Sequence, residues 1–381
     1  MSHAFTRRAL IGSATAGTAL GLAATGASRP ALAASPVPPP STVGDLFGPP
    51  SGLAQLSRNE NPFGPSPKAL QALTQASGHG AYYADRGVAY LTDMIAERFG
   101  LAPDHVIVSS GSTEVLCCAS MALAKQGAIL CPDLFWDTTV TYAEKKGAKL
   151  KRVPLAPDMG IDLAAMKAAI TPDIGLIHIC NPNNPTAMSL DGDTLRAFIR
   201  GVDPAITVLV DEAYMELTAR PEYTSMVDLL AERENLIICR TFSKIYGMAG
   251  LRLGYALTSP AMVEKLRGYL MSFGGNSAGL AAGIASCQDE AFLSYSKARI
   301  LEAREAIMDA VGTAGLTALP SDASFVYVQV PDADALKVEM AKAQVAIRPA
   351  YGTWTQYSRV STGRMEDVAR YADVLRRTYK A

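Results

Sequence analysis

HVIVSSGSTEVLCCASMALAKQG, residues 105–127, decides the fold. Its first six residues are a short apolar run. A glycine breaks it, and Ser112 and Thr113 open a helical pattern. The same unit recurs outward. GAILCP, LKRVPL, IGLIHIC, ITVLVD and NLIICR are further short runs rich in β-branched residues, with helical segments such as LAAMKAAI and GDTLRAFIRG between several of them. Strands alternating with helices require right-handed crossovers, so a mostly parallel, doubly wound α/β sheet is expected. Continuous apolar strands fit a sheet covered on both faces. Upstream, SPKALQALTQAS reads as a helix capped by Ser66 with Pro67 at its first position. GVAYLTDMIAERFG (87–100) reads as an amphipathic helix ended by Gly100.

After residue 258 the texture changes. PAMVEKLRGYLM and one long helix running from AGLAAGIASC to DAVGTAG are followed by SFVYVQV, a helix around DADALKVEMAKAQ, strands at VAIRPA and RVST, and a terminal helix EDVARYADVLRRTYK. This predicts a smaller α+β domain over residues 290–381, a large domain over 81–289, and a segment 53–80 that packs with the small one.

Of the 381 residues, 49% are hydrophobic and 19% charged, which is ample material for two such cores. A net charge of −1 without a basic block speaks against nucleic acid or anionic lipid as partner. Cys117, Cys118, Cys131, Cys180, Cys239 and Cys287 lack metal-ligand spacing. Their apolar neighbours predict buried free thiols, and no metal site is expected. Residues 1–34 differ in kind. Arg7 and Arg8 precede a weakly apolar Ala/Gly/Thr stretch and then Ala31-Leu32-Ala33, the pattern of a cleavable signal; the paired arginines resemble twin-arginine export. The expectation is a periplasmic or secreted protein with no lasting membrane anchor, preceded by a Pro-rich leader at 35–52.

In doubly wound sheets, ligands bind beyond the carboxyl ends of the strands. There the sequence places Gly111-Ser112-Thr113, a helix start suited to a phosphate, and Asn184 in NPNNPTA. It also places Asp211 with Tyr214, then Thr241, Ser243 and Lys244, with Arg252 on the next run. Each piece alone is weak, since Gly-Ser-Thr before a helix is a common capping sequence. Their order and spacing carry the weight.

Together RNENPFGPSP (58–67), GST (111–113), NPNNPT (181–186), VDEAY (210–214), TFSK (241–244) and GLRLGY (250–255) resemble the fold-type I aminotransferases that use pyridoxal 5'-phosphate, nearest the histidinol-phosphate aminotransferase branch. The resemblance spans residues 53–380 and implies a seven-stranded-type sheet. It implies that Lys244 is joined to the cofactor aldehyde and later moves the Cα proton. Asp211 would face the ring nitrogen, Asn184 and Tyr214 the phenolic oxygen. Ser112, Thr113, Thr241, Ser243 and Arg252 would hold the phosphate. Phe135 falls near the aromatic that stacks on the ring, with Trp136 as a rival. Tyr83, with Tyr82 beside it, matches a tyrosine that reaches the neighbouring subunit of a homodimer. Arg359, Arg348 and Asn61 are assigned to the substrate.

Ala187 stands where the family has glycine. An export signal fits histidine biosynthesis poorly, and Tyr351, Trp354 and Tyr357 suggest an aromatic or other bulky amino donor. Transamination to a 2-keto acid is the leading reading. A decarboxylase or lyase on the same fold, and a non-catalytic cofactor-binding protein, are the alternatives.

Overall fold

In the computed structural model, residues 43–272 and 274–379 are described. The export signal read at 1–34 lies outside them, as does the leader up to residue 42. Val43–Leu46 makes one turn of 3-10 helix within a short unit ending at Gly48; from Pro49 onward the chain forms a second compact unit.

The second unit begins with β1 (Ala54–Gln55) and the helices Pro67–Ser77 and Asp85–Phe99. Ser66 Oγ accepts from the Ala69 N–H at 3.1 Å, and Gly100 ends the second helix in the left-handed region at φ 64°. The large sheet comprises β2 (Val106–Ser109), β3 (Ala128–Pro132), β4 (Leu150–Val153), β5 (Ile174–Cys180), β6 (Thr207–Asp211), β7 (Leu236–Thr241) and β8 (Gly254–Leu257). Its seven strands lie in the order β2-β8-β7-β6-β5-β3-β4. Only β8 runs antiparallel to its neighbours. Its residues were not read as a strand from the sequence. β3, β5, β6 and β7 are buried along their whole length because helices cover both faces.

The expected long helix after residue 276 is two helices, Ser277–Cys287 and Glu290–Thr313. The chain turns at Gln288–Asp289, where the buried Asp289 meets the Lys68 amine at 3.3 Å. A continuous apolar pattern hid this break. Beyond it, β9 (Thr317–Ala318), β10 (Phe325–Gln329) and β12 (Tyr357–Ser361) form an antiparallel sheet, and β11 (Val345–Ala346) pairs in parallel with β1. The N-terminal strand is thus part of the C-terminal layer. One apolar cluster joins Leu56, Ile307, Val326, Val360 and Tyr371 there. Among the described residues no helix is long and apolar enough to cross a membrane.

A buried ion pair ties β6 to β7. Glu212, fully buried, accepts from Arg240 Nε (3.1 Å) and Nη2 (2.9 Å), from Ser225 Oγ (2.9 Å) and from the Met226 N–H (2.7 Å). Removing one charge strands the other in a dry site. Arg240→Leu is therefore expected to lower stability by about 3–5 kcal/mol, and Arg240→Leu with Glu212→Leu to recover much of that loss, both read from urea denaturation midpoints.

Candidate active site

The carboxyl ends of β2, β5, β6 and β7 share one edge of the sheet, and β8 starts there. This edge borders a cavity of about 420 Å³. Ser112, Thr113, Asn184, Asp211 and Tyr214 line it, as do Thr241, Ser243, Lys244, Arg252, Arg348 and Arg359. The structure therefore brings together most of the residues singled out in the sequence.

One end of the cavity is built for an anion. Gly111 takes φ 72° ahead of the helix Ser112–Leu123, whose first amides have no partner within the helix. A Cβ on Gly111 would collide with the Arg252 guanidinium, and a Cβ on Gly254 with the Ser112 backbone. Glycine at both positions lets the helix start, the arginine and β8 converge. Thr241 Oγ1 donates to Ser243 Oγ at 2.9 Å, keeping both hydroxyls beside that helix start.

The middle holds the titrating groups. Asp211, the last residue of β6, is 3% exposed and accepts from the Ala213 N–H at 3.2 Å. Burial pushes its carboxyl up to about 7; the Ala213 N–H and then Lys244 oppose the rise. The Lys244 amine lies 3.3 Å from the Asn59 carbonyl and 5.4 Å from the centre of the Tyr214 ring. Part of the side chain faces the open cavity, yet desolvation first and Arg359 second bring the amine down to about 8. The Tyr214 hydroxyl accepts from Asn59 Nδ2 (3.0 Å) and Asn184 Nδ2 (3.3 Å), and burial raises its pKa.

The far end carries two arginines, Arg359 and Arg348. Arg359, 4% exposed, donates from Nη1 to Asn184 Oδ1 (2.7 Å) and to the Tyr351 hydroxyl (2.6 Å), and from Nη2 to the Ser57 carbonyl (2.7 Å). Its Nε has no hydrogen-bond partner among the described residues. Arg348 lies over the Tyr351 ring at 4.8 Å.

Two sequence assignments, Phe135 and Asn61, differ in place. Phe135 is turned into the core against His178, ring centres 5.2 Å apart, whereas Trp136 lines the cavity. An apolar ring with no polar atom belongs with the apolar cluster, and the half-buried indole takes the wall. Asn61 is buried away from the cavity, donating to the Ile245 carbonyl (2.9 Å) and Ser296 Oγ (2.8 Å). Asn59, not singled out earlier, holds the site position instead. It takes φ 57°, receives Lys244 on its carbonyl, and is fixed by Ser361. An asparagine tolerates that conformation, which was the available signal. Tyr83 is 77% exposed and does not line this cavity. Ala187 takes φ 64°, where the family's glycine would avoid a cost of about 1 kcal/mol.

Among the described residues no group of three or more His, Cys, Asp or Glu could hold a metal ion. All six cysteines are free. The donor set instead fits pyridoxal phosphate: an amine for an aldehyde, a dry carboxylate for a ring nitrogen, a phenol and an amide for a phenolic oxygen, and a helix start with hydroxyls and arginine for a phosphate.

Because the Asp211 carboxyl stands near 7 when folded, against an ordinary 3.8, the folded cofactor-free protein binds the extra proton between those values. That contribution is present at low pH and is lost as pH rises through about 7. Cofactor-free Asp211→Asn should therefore be more stable than the parent at pH 8, on the order of 4 kcal/mol, with the difference vanishing near pH 4; paired thermal melts across that range check it.

The chain matches the family "Aminotransferase class I and II" over residues 51–375. It is 36% identical over 334 residues to a histidinol-phosphate aminotransferase of Methylobacillus flagellatus, covering 87% of this chain and 90% of that protein. A Moorella thermoacetica histidinol-phosphate aminotransferase is 35% identical over 280 residues, covering 73% and 72%. The crystal structure of the Sinorhizobium meliloti histidinol-phosphate aminotransferase with pyridoxal-5'-phosphate superposes with a TM-score of 0.79 at 28% identity, over 86% of this chain and 92% of that one. The protein belongs to the class I and II aminotransferases, pyridoxal-phosphate-dependent transaminases, within the branch that resembles the histidinol-phosphate enzymes.

Proposed function

We propose that this transaminase takes its amino group from an L-amino acid with an aromatic or other bulky side chain, passes it to a 2-keto acid, and works as an exported homodimer. The observation that carries the reading is the shared cavity of Lys244, Asp211 and Arg359. Lys244 would carry the cofactor, with Asp211 at the ring nitrogen and Tyr214 and Asn184 at the phenolic oxygen. Ser112, Thr113, Thr241, Ser243 and Arg252 would hold the phosphate. When bound, the cofactor supplies an electron-withdrawing ring that takes up charge from the donor's Cα. The chain's own residues do the rest. Lys244 Nζ, lowered to about 8, is more often neutral than an ordinary lysine near neutral pH, so it can accept and return a proton at Cα. Arg359 presents a buried guanidinium to the donor carboxylate. The amino-alcohol phosphate implied by the named activity of the curated relatives is the rival donor, read by Arg359 with Arg348.

Besides Tyr214, two aromatic side chains, Tyr351 and Trp136, border the cavity and support a bulky donor. Trp354 and Tyr357 do not line it. Tyr357 is stacked on Tyr327 with ring centres 5.0 Å apart, and Trp354 packs in the same apolar cluster. The homodimer reading rests on the family resemblance and on Tyr82 and Tyr83, 76% and 77% exposed just ahead of the helix Asp85–Phe99.

A donor panel with several keto acids should give turnover for aromatic amino acids, and Arg359→Ala should cut their kcat/KM at least about 100-fold. Turnover confined to small or acidic donors would remove the bulky-donor reading. Mixing inactive Lys244→Ala subunits with weakened Tyr83→Ala subunits should restore activity, because one site of each hybrid dimer keeps both residues. No recovery on mixing would count against a tyrosine that crosses the interface. Replacing Arg7 and Arg8 by lysine should leave the protein in the cytoplasm; unchanged export would exclude a twin-arginine signal.

A further inference from the structure

Asp211 has two sulfur neighbours on its row of the sheet. The register pairs it with Cys180 on β5 and with Cys239 on β7, and residues in register on parallel strands leave the same face. Both cysteines are buried, at 1% and 0% exposed, and Cys180 lines the cavity with Asp211. Cys180 Sγ donates to the Pro182 carbonyl at 3.4 Å. Burial, reinforced by the charge of Asp211, raises both thiols well above their ordinary pKa, so they remain protonated and add no charge.

A thiol is a poor hydrogen-bond donor, and a serine hydroxyl of nearly the same size is a good one. The other groups acting on the carboxylate are the Ala213 N–H, Lys244 from the loop after β7, and Glu212 next in the chain, with Tyr214 neutral nearby. Among the described residues the Asp211 carboxylate thus has one backbone donor, the Ala213 N–H, and two thiols on the same face of the sheet that are not bonded to it.

We propose that Cys180 and Cys239 are positioning residues for Asp211. They fill the space beside the carboxylate with groups too weak to satisfy it, and so reserve its hydrogen-bonding capacity for a cation arriving from the cavity. This rests on the reading that the cofactor's ring nitrogen meets Asp211. A serine at either place would bond the carboxylate and compete with that nitrogen. An alanine would remove the sulfur and add no competitor, so the two substitutions separate electrostatic placement from packing.

The test uses the cofactor-free protein with 13C-labelled aspartate. Asp211 is titrated by NMR, its signal identified by loss in Asp211→Asn, and pyridoxal phosphate affinity is measured by equilibrium dialysis. Cys180→Ser and Cys239→Ser should each lower the Asp211 midpoint by about one to two pH units and weaken cofactor binding about tenfold. Cys180→Ala and Cys239→Ala should leave the midpoint little changed and affinity within about twofold. Serine and alanine behaving alike at both positions, with Asp211→Asn impaired in binding, overturns the proposal alone. Undiminished cofactor affinity in Asp211→Asn overturns the ring placement and the proposal with it.

Discussion

A carboxylate at the end of a covered strand is the constraint around which this protein is arranged. Asp211 emerges from β6 into a nearly buried site, and burial, against the Ala213 N–H and Lys244, holds its carboxyl at about 7. The amine of Lys244, one strand over, is pushed in the opposite sense by the same lack of water. Two groups that would both be fully charged in solution are each brought to where the neutral form is populated near neutral pH. Such a pair gains from a ligand that offers a proton donor to one and an electrophile to the other, and pyridoxal phosphate has both at opposite ends of one ring.

The scaffold makes this arrangement rigid where it matters. The residue after Asp211 points to the opposite face and is anchored by Arg240 and the loop at Ser225 and Met226, so β6 cannot slide against β7. From the other side, the short segment Leu56–Asn59 bridges the C-terminal sheet and the cavity. The Ser361 N–H donates to the Leu56 carbonyl (2.9 Å), Arg359 donates to Ser57, and Asn59 reaches both Tyr214 and Lys244. Substrate recognition and cofactor chemistry therefore meet through one stretch of backbone.

Much of this was legible in the sequence for physical reasons. Doubly covered strands must be apolar throughout, so IGLIHIC and ITVLVD announce themselves, and polar residues at their ends stand out as Asp211 and Asn184 do. The resemblance named Lys244 and Arg252 through the motifs TFSK and GLRLGY. What stayed hidden was side-chain direction. Phe135 and Trp136 are adjacent, and only the packed structure decides which ring faces the core. Asn59 and Asn61 belong to one motif two residues apart, and the positive φ of Asn59 is what separates them. β8 escaped notice because Arg252 and two glycines interrupt its pattern, and the helix break at Gln288–Asp289 because both sides of it are apolar.

The hydrogen bonds between Asn59 and Ser361 join residues 302 apart in the sequence. Every strand of the large sheet is complete once residue 257 has been synthesised, yet the carbonyl that receives the Lys244 amine is not fixed until residue 361 exists. A nascent or truncated polypeptide lacking that serine would present the whole sheet and still misplace its lysine, so maturation of the catalytic centre is deferred to a late stage of folding.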